Sequence, residues 1–155
     1  MTLPETTRTR LETQLDALFL LIAELDTTDL TRRPSSGKWS VLENAAHLGR
    51  YHEVFLERMQ RVLDEDTSNL GRYISEDDPE AAAWLSLEPD ETFARLKEQR
   101  TELIAFVDGL EAEQLERTGI HPKLGKMTVS LWLEFFLLHE AHHLYRILWL
   151  SKTGE

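Results

Sequence analysis

Apolar residues recur along most of the chain at spacings of three and four, and no stretch alternates convincingly as a half-buried strand does. Leu11, Leu15, Leu18, Ile22 and Leu25 line one side of a first helix expected over residues 5–25. Residues 26–37 then form a connection whose Arg33-Pro34-Ser35-Ser36-Gly37 segment is rich in helix breakers. Ser40 reads as an N-cap, and Glu43 three residues on completes a capping box that opens a second helix, running to about Asp64. A polar, acidic segment over 65–80 leads into a short helical turn near 80–85. Phe93, Leu96, Leu103, Phe106 and Val107 predict a third helix from near Asp90, just past Pro89, to about Gly109. A second connection, through Gly119, His121-Pro122 and Gly125, leads to the last stretch.

That stretch, MTVSLWLEFFLLHEAHHLYRILWL over residues 127–150, is the most apolar of the chain and holds three histidines within five residues. Thr128 is placed to cap it, and neither Pro nor Gly interrupts it before Gly154, so a helix of about six turns fits. Trp132, Phe136, His139, His143 and Ile147 fall on one stripe. Four long helices joined by extended connections predict an all-α fold, an antiparallel four-helix bundle with a long crossover connection, in one domain over residues 1–155.

Composition narrows the function. The chain has no cysteine, which excludes disulfides, thiolate ligands and a cysteine nucleophile and suits a reducing compartment. A net charge of −11 argues against nucleic acid and against anionic membranes, since phosphate contacts need clustered Lys and Arg. The polar N-terminus lacks a hydrophobic signal core, and Glu134, His139 and Glu140 interrupt any membrane-length window in the last helix. The expected setting is cytoplasmic.

His139 and His143 stand one turn apart on one helix face, and two imidazoles so placed can share one metal ion at about 2.0–2.1 Å from each ring nitrogen. The alternative is a pair of core histidines satisfied by hydrogen bonds. A third ligand belongs on a facing helix, and His47, His52 and His121 are the candidates. On a helical wheel His52 lies in the arc of Val41, Ala45, Leu48, Phe55 and Met59, while His47 falls toward the opposite side with Glu43, Tyr51 and Val54, so the pattern favours His52 as the inward residue. His139-Glu140-Ala141-His142-His143 also matches HExxH, the zinc-protease motif with Glu140 as base. Only a dozen residues follow it and no strand pattern precedes it, so Glu140 reads as a partner for a neighbouring helix or for an imidazole N–H.

Gly37-Lys38-Trp39-Ser40 followed by Ala46-His47-Leu48, together with His121-Pro122, Gly125-Lys126-Met127-Thr128-Val129, Trp132-Leu133 and the His139/His143 pair, resembles the DinB/YfiT-like family across the whole chain. The resemblance implies that His47, His139 and His143 hold one divalent metal ion, zinc foremost with nickel or iron as alternatives, and that His52 is a neighbour of the site. The family often has Gln three residues after its last ligand, where this chain has Arg146. His52 and Arg146 are therefore carried as acid/base or rim candidates. Members of the family include bacillithiol S-transferases, mycothiol-dependent isomerases and metal-dependent hydrolases. The expectation is an enzyme for small molecules in which a low-molecular-weight thiol, activated at the metal, attacks an electrophile. Hydrolysis of a small amide or ester is the alternative reaction, and a non-enzymatic metal-binding or dimerisation protein is the alternative class. Trp84, Trp149 and the outer positions of the last helix point to a homodimer.

Overall fold

The computed structural model describes residues 2–155. Its elements, in chain order, are α1 (Glu5–Thr13), α2 (Asp16–Ile22), α3 (Thr27–Thr31), α4 (Val41–Asp64), β1 (Ser68–Asn69), α5 (Pro79–Leu85), α6 (Pro89–Asp108), α7 (Ala112–Leu115), β2 (Thr118–His121), β3 (Gly125–Thr128) and α8 (Val129–Thr153). The capping signals act as written. Glu43 N–H donates to Ser40 Oγ at 3.1 Å while Ser40 N–H donates to the Glu43 carboxylate at 2.8 Å, and Leu131 N–H donates to Thr128 Oγ1 at 3.2 Å. Gly154 ends α8 at φ +72°, a left-handed position that a side chain would disfavour.

Three features depart from the expected elements. The first helix is two helices with a kink between them, where Ala17 and Leu18 bond to carbonyls only three residues back. The Leu11 carbonyl just before the kink accepts from the Arg100 guanidinium of α6 at 2.7 Å, and a foreign donor entering the ladder is a known cause of such bends. The expected connections also hold short helices: Asp26 and Asp29 form a capping box that starts α3, and Glu111 and Gln114 form one that starts α7. Finally, a three-stranded sheet is present: β1 runs parallel to β2, and β2 pairs antiparallel with β3 from Thr118↔Thr128 to His121↔Gly125. Strands of two to four residues are too short to display an alternating pattern.

α4 packs against α6 and α8, and α2 packs against α8 while meeting α6 through an edge-on Phe19–Phe93 contact. The first and second long helices therefore stand across the bundle from each other, and residues 23–40 carry the crossover between them. The apolar core is in two clusters. One is built around Phe55, Met59, Leu103, Trp132, Leu133 and Phe136, the other around Leu18, Ala45, Leu48, Leu96, Leu144 and Ile147. Between them lies a layer of polar side chains: His52, Arg100 and Glu140, buried and drawn from α4, α6 and α8, joined by the half-buried Gln14 at the kink between α1 and α2. Trp84 is not a surface residue as the dimer expectation required. It is buried against α4, where Gly49 leaves room for its ring, and its indole N–H donates to Glu53 at 3.0 Å. Leu138, Tyr145 and Trp149 on the outer face of α8 are exposed. Among the described residues no helix is long and apolar enough to cross a membrane.

Candidate metal centre

Packing of α4 against α8 brings His47 onto the His139/His143 pair, and one ring nitrogen from each of the three lies within 4.8 Å of the others. The Nε2 atoms of His47 and His139 are 3.1 Å apart. Two nitrogens sharing a tetrahedral ion at about 2.0–2.1 Å stand about 3.3 Å apart, so this pair is already at ligand spacing. His143 is oriented from the start of α4. The Asn44 amide donates to the Ser40 carbonyl at 2.8 Å, which turns its oxygen toward His143 Nδ1 at 2.8 Å. That oxygen accepts from Nδ1–H, which leaves Nε2 with its lone pair free for an ion.

Burial is the main reason all three imidazoles stay neutral. It pushes His47 down to about 4 against the pull of Glu76. Burial, then the neighbouring histidines, pushes His139 down to about 2 and His143 to about 3. Neutral imidazoles are the form that binds a metal. Nδ1 of both His47 and His139 is buried and has no hydrogen-bond partner among the described residues, at a cost of about 1–3 kcal/mol for each such atom. The donor set, three neutral nitrogens with no carboxylate among them, fits a divalent transition-metal ion with an open position.

Aromatic rings wall the centre. Trp39 lies 4.9 Å from the His47 ring and 6.0 Å from His143, and Tyr51 lies 4.2 Å from His139. A cleft of about 410 Å³ opens onto His47 and His139, lined also by Trp39, Tyr51, Tyr73 and Phe135, with Arg58, Arg72, Lys123 and Glu76 at its edge. Tyr73 donates its phenolic proton to Asp78 at 2.9 Å, and burial with that bond raises its pKa to about 12. His121, the last residue of β2, also lines this cleft, and its Nδ1 accepts from the N–H groups of Lys123 and Leu124 in the turn that follows.

The remaining candidates fall elsewhere. His52, carried as an acid/base or rim residue, is wholly buried in the polar layer. Its Nδ1–H donates to the Leu48 carbonyl at 2.7 Å, and its Nε2 accepts from Arg100 at 3.1 Å. Burial, then Arg100, lowers its pKa to about 3. Both nitrogens are engaged inside the core, so it has none to offer a substrate. Arg146 does not line the cleft over His47 and His139; it lines a second one that reaches His143 from beyond Trp39. Glu140 pairs with Arg100 and accepts from Gln14 at 3.0 Å, the neighbouring-helix role expected of it and not that of a base in HExxH. Asn44 and Arg100 were the residues missed. Each is a polar residue set into an apolar stripe, Arg100 filling the step between Leu96 and Leu103, and that interruption was visible.

The family model of the DinB superfamily matches residues 10–147. Over 127 residues the chain is 27% identical to the uncharacterized protein YuaE of Bacillus subtilis (strain 168), a match that covers 74% of this chain and 78% of that protein. Among solved structures it is similar to YfiT from Bacillus subtilis, described as "a probable metal-dependent hydrolase with an unusual four-helix bundle topology". The TM-score is 0.77 at 24% identity, covering 96% of this chain and 85% of that one. It is also similar to TT2238, a four-helix bundle protein, with a TM-score of 0.67 at 25% identity over 92% of this chain and 96% of that one. The match to the family model, over nearly the whole chain and with the bundle topology behind it, makes this chain a member of the DinB superfamily.

Proposed function

We propose that this protein is a metal-dependent enzyme acting on small molecules, with one divalent ion, zinc foremost and nickel or iron as alternatives, held by His47, His139 and His143. The observation that carries the reading is three neutral imidazole nitrogens converging beside an open cleft, one of them oriented by Asn44. An ion held there would supply Lewis acidity, bringing the pKa of a bound thiol or water toward neutrality. Trp39 and Tyr51 limit water at the ligands, and the cleft admits a small electrophile.

A low-molecular-weight thiol as co-substrate fits the protein side of the site best. The chain has no cysteine to act as nucleophile. Tyr73 has its proton committed to Asp78, and Glu76 is the one carboxylate lining the cleft. A free thiol, with a pKa near 8.5, needs less help in losing its proton than water does. The second reading, hydrolysis of a small amide or ester, draws on the description of YfiT and would use Glu76 as the base. A homodimer through the exposed apolar face of α8 and a cytoplasmic setting accompany either reading.

Elemental analysis of untagged protein tests the centre. About one equivalent of divalent metal is expected in the wild type, with large losses in His47→Ala and His139→Ala and retention in His52→Ala. Wild type that stays metal-free after incubation with zinc and nickel would remove the enzyme reading. Turnover by the loaded protein of a thiol with an aryl halide, against a nitrophenyl ester with water alone, separates the two reactions.

A further inference from the structure

The second cleft reverses the charge of the molecule. It measures about 410 Å³, and Arg33, Lys38, His142 and Arg146 line it with no carboxylate among its lining residues. The chain as a whole carries −11. The Arg33 guanidinium is already taken by Glu43, which grips it through both carboxylate oxygens. Lys38 and Arg146 are different: neither has an ion pair among the described residues. Both are tethered to the metal-centre ligand His143. Arg146 follows it by one helical turn on α8, and Lys38 precedes Trp39, whose ring stacks over the His143 imidazole at 6.0 Å. His143 and its partner Asn44 themselves line this cleft.

We propose that this cleft is an oxyanion subsite, in which Arg146 and Lys38 bind a carboxylate or phosphate group of the substrate while its reacting atom lies at the three-histidine centre. The assignment of a reacting atom there rests on the metal-enzyme reading above. A guanidinium presents a planar fork that matches two oxygens of one anion, and an ammonium adds a point charge. In a chain of net charge −11, two unneutralised cations beside a reactive centre select an anionic molecule over its neutral analogue.

The test is titration of zinc-loaded protein with succinate, methylphosphonate and neutral succinamide, followed by backbone NMR shifts. Binding of either anion about tenfold or more tighter than succinamide is expected, with shifts concentrated at residues 37–39 and 142–146. The tighter of the two anions names the group. That advantage falls about tenfold in Arg146→Gln and in Lys38→Gln and persists in Lys126→Gln, which changes the net charge equally at an exposed position away from the cleft. Equal binding of charged and neutral probes overturns the proposal. So does an advantage that survives the Arg146→Gln/Lys38→Gln double variant, because the anion would then be held by the metal, or an equal loss in Lys126→Gln. If elemental analysis finds no zinc, the metal reading fails by itself, and the same titrations on metal-free protein still decide the cleft.

Discussion

Replacing Glu140 with leucine strands a charge in the middle of the bundle. Glu140 is fully buried and Arg100 is 5% exposed. One carboxylate oxygen accepts from Arg100 and the other from Gln14. In Glu140→Leu the guanidinium keeps its bonds to the Leu11 carbonyl and to His52 Nε2 but loses its one counter-charge in the layer, and it cannot shed its proton to escape. Breaking a buried pair in this way costs about 3–5 kcal/mol. For a chain of this length each kcal/mol moves Tm by about 2–4 °C, so the thermal midpoint should fall by roughly 6–20 °C. Far-UV circular dichroism melts of the wild type, Glu140→Leu, Arg100→Met and the double variant provide the assay. The double variant removes both charges and orphans the Leu11 carbonyl, His52 Nε2 and one Gln14 amide hydrogen, the last already lost in Glu140→Leu, so it should melt no lower than Glu140→Leu alone, a coupling of more than about 1 kcal/mol. A Glu140→Leu protein within about 1 kcal/mol of the wild type, or single effects that simply add in the double variant, would refute the buried pair.

Acid should unfold the metal-free protein early. His47, His52, His139 and His143 have folded pKa values of about 4, 3, 2 and 3, below the unfolded value of about 6.5. The unfolded chain therefore binds more protons below pH 6.5, so stability is full above that pH and falls with acid by about 1.4 kcal/mol per pH unit for each group until its folded pKa is passed. Urea midpoints measured from pH 7.5 to 4.5 should drop steeply below 6.5, and a flat profile would show that these rings are not buried neutral. Asn44→Leu removes the acceptor that orients His143 and should weaken zinc binding about 10–100-fold in chelator competition, whereas unchanged affinity would show that Asn44 does not position the ring. Gly49→Ala drives a methyl into the Trp84 ring and should destabilise by about 1–3 kcal/mol in chemical denaturation, a cost that should largely vanish when Trp84→Leu is added.

What the chain determined by itself are the features that depend on neighbours a few residues apart. Caps at Ser40 and Thr128, the extents of α4, α6 and α8, and the His139/His143 pair follow from hydrogen bonds and side-chain spacing within one or two turns. The resemblance carried by Trp39 and His47 supplied the third histidine that periodicity had assigned to His52. Both readings describe something real: the apolar arc of α4 does face the core, where His52 is buried, and His47 faces the separate groove against α8. Tertiary structure alone decided the rest. It joined Gln14, His52, Arg100 and Glu140 into one layer, sent Arg146 to a different cleft from His47 and His139, and buried Trp84 over Gly49. It also paired three strands too short to alternate and bent the first helix where Arg100 takes the Leu11 carbonyl. Apart from the local β2–β3 hairpin, each of these depends on segments brought together from distant parts of the chain, and their register is set by packing across the bundle, which no local spacing encodes.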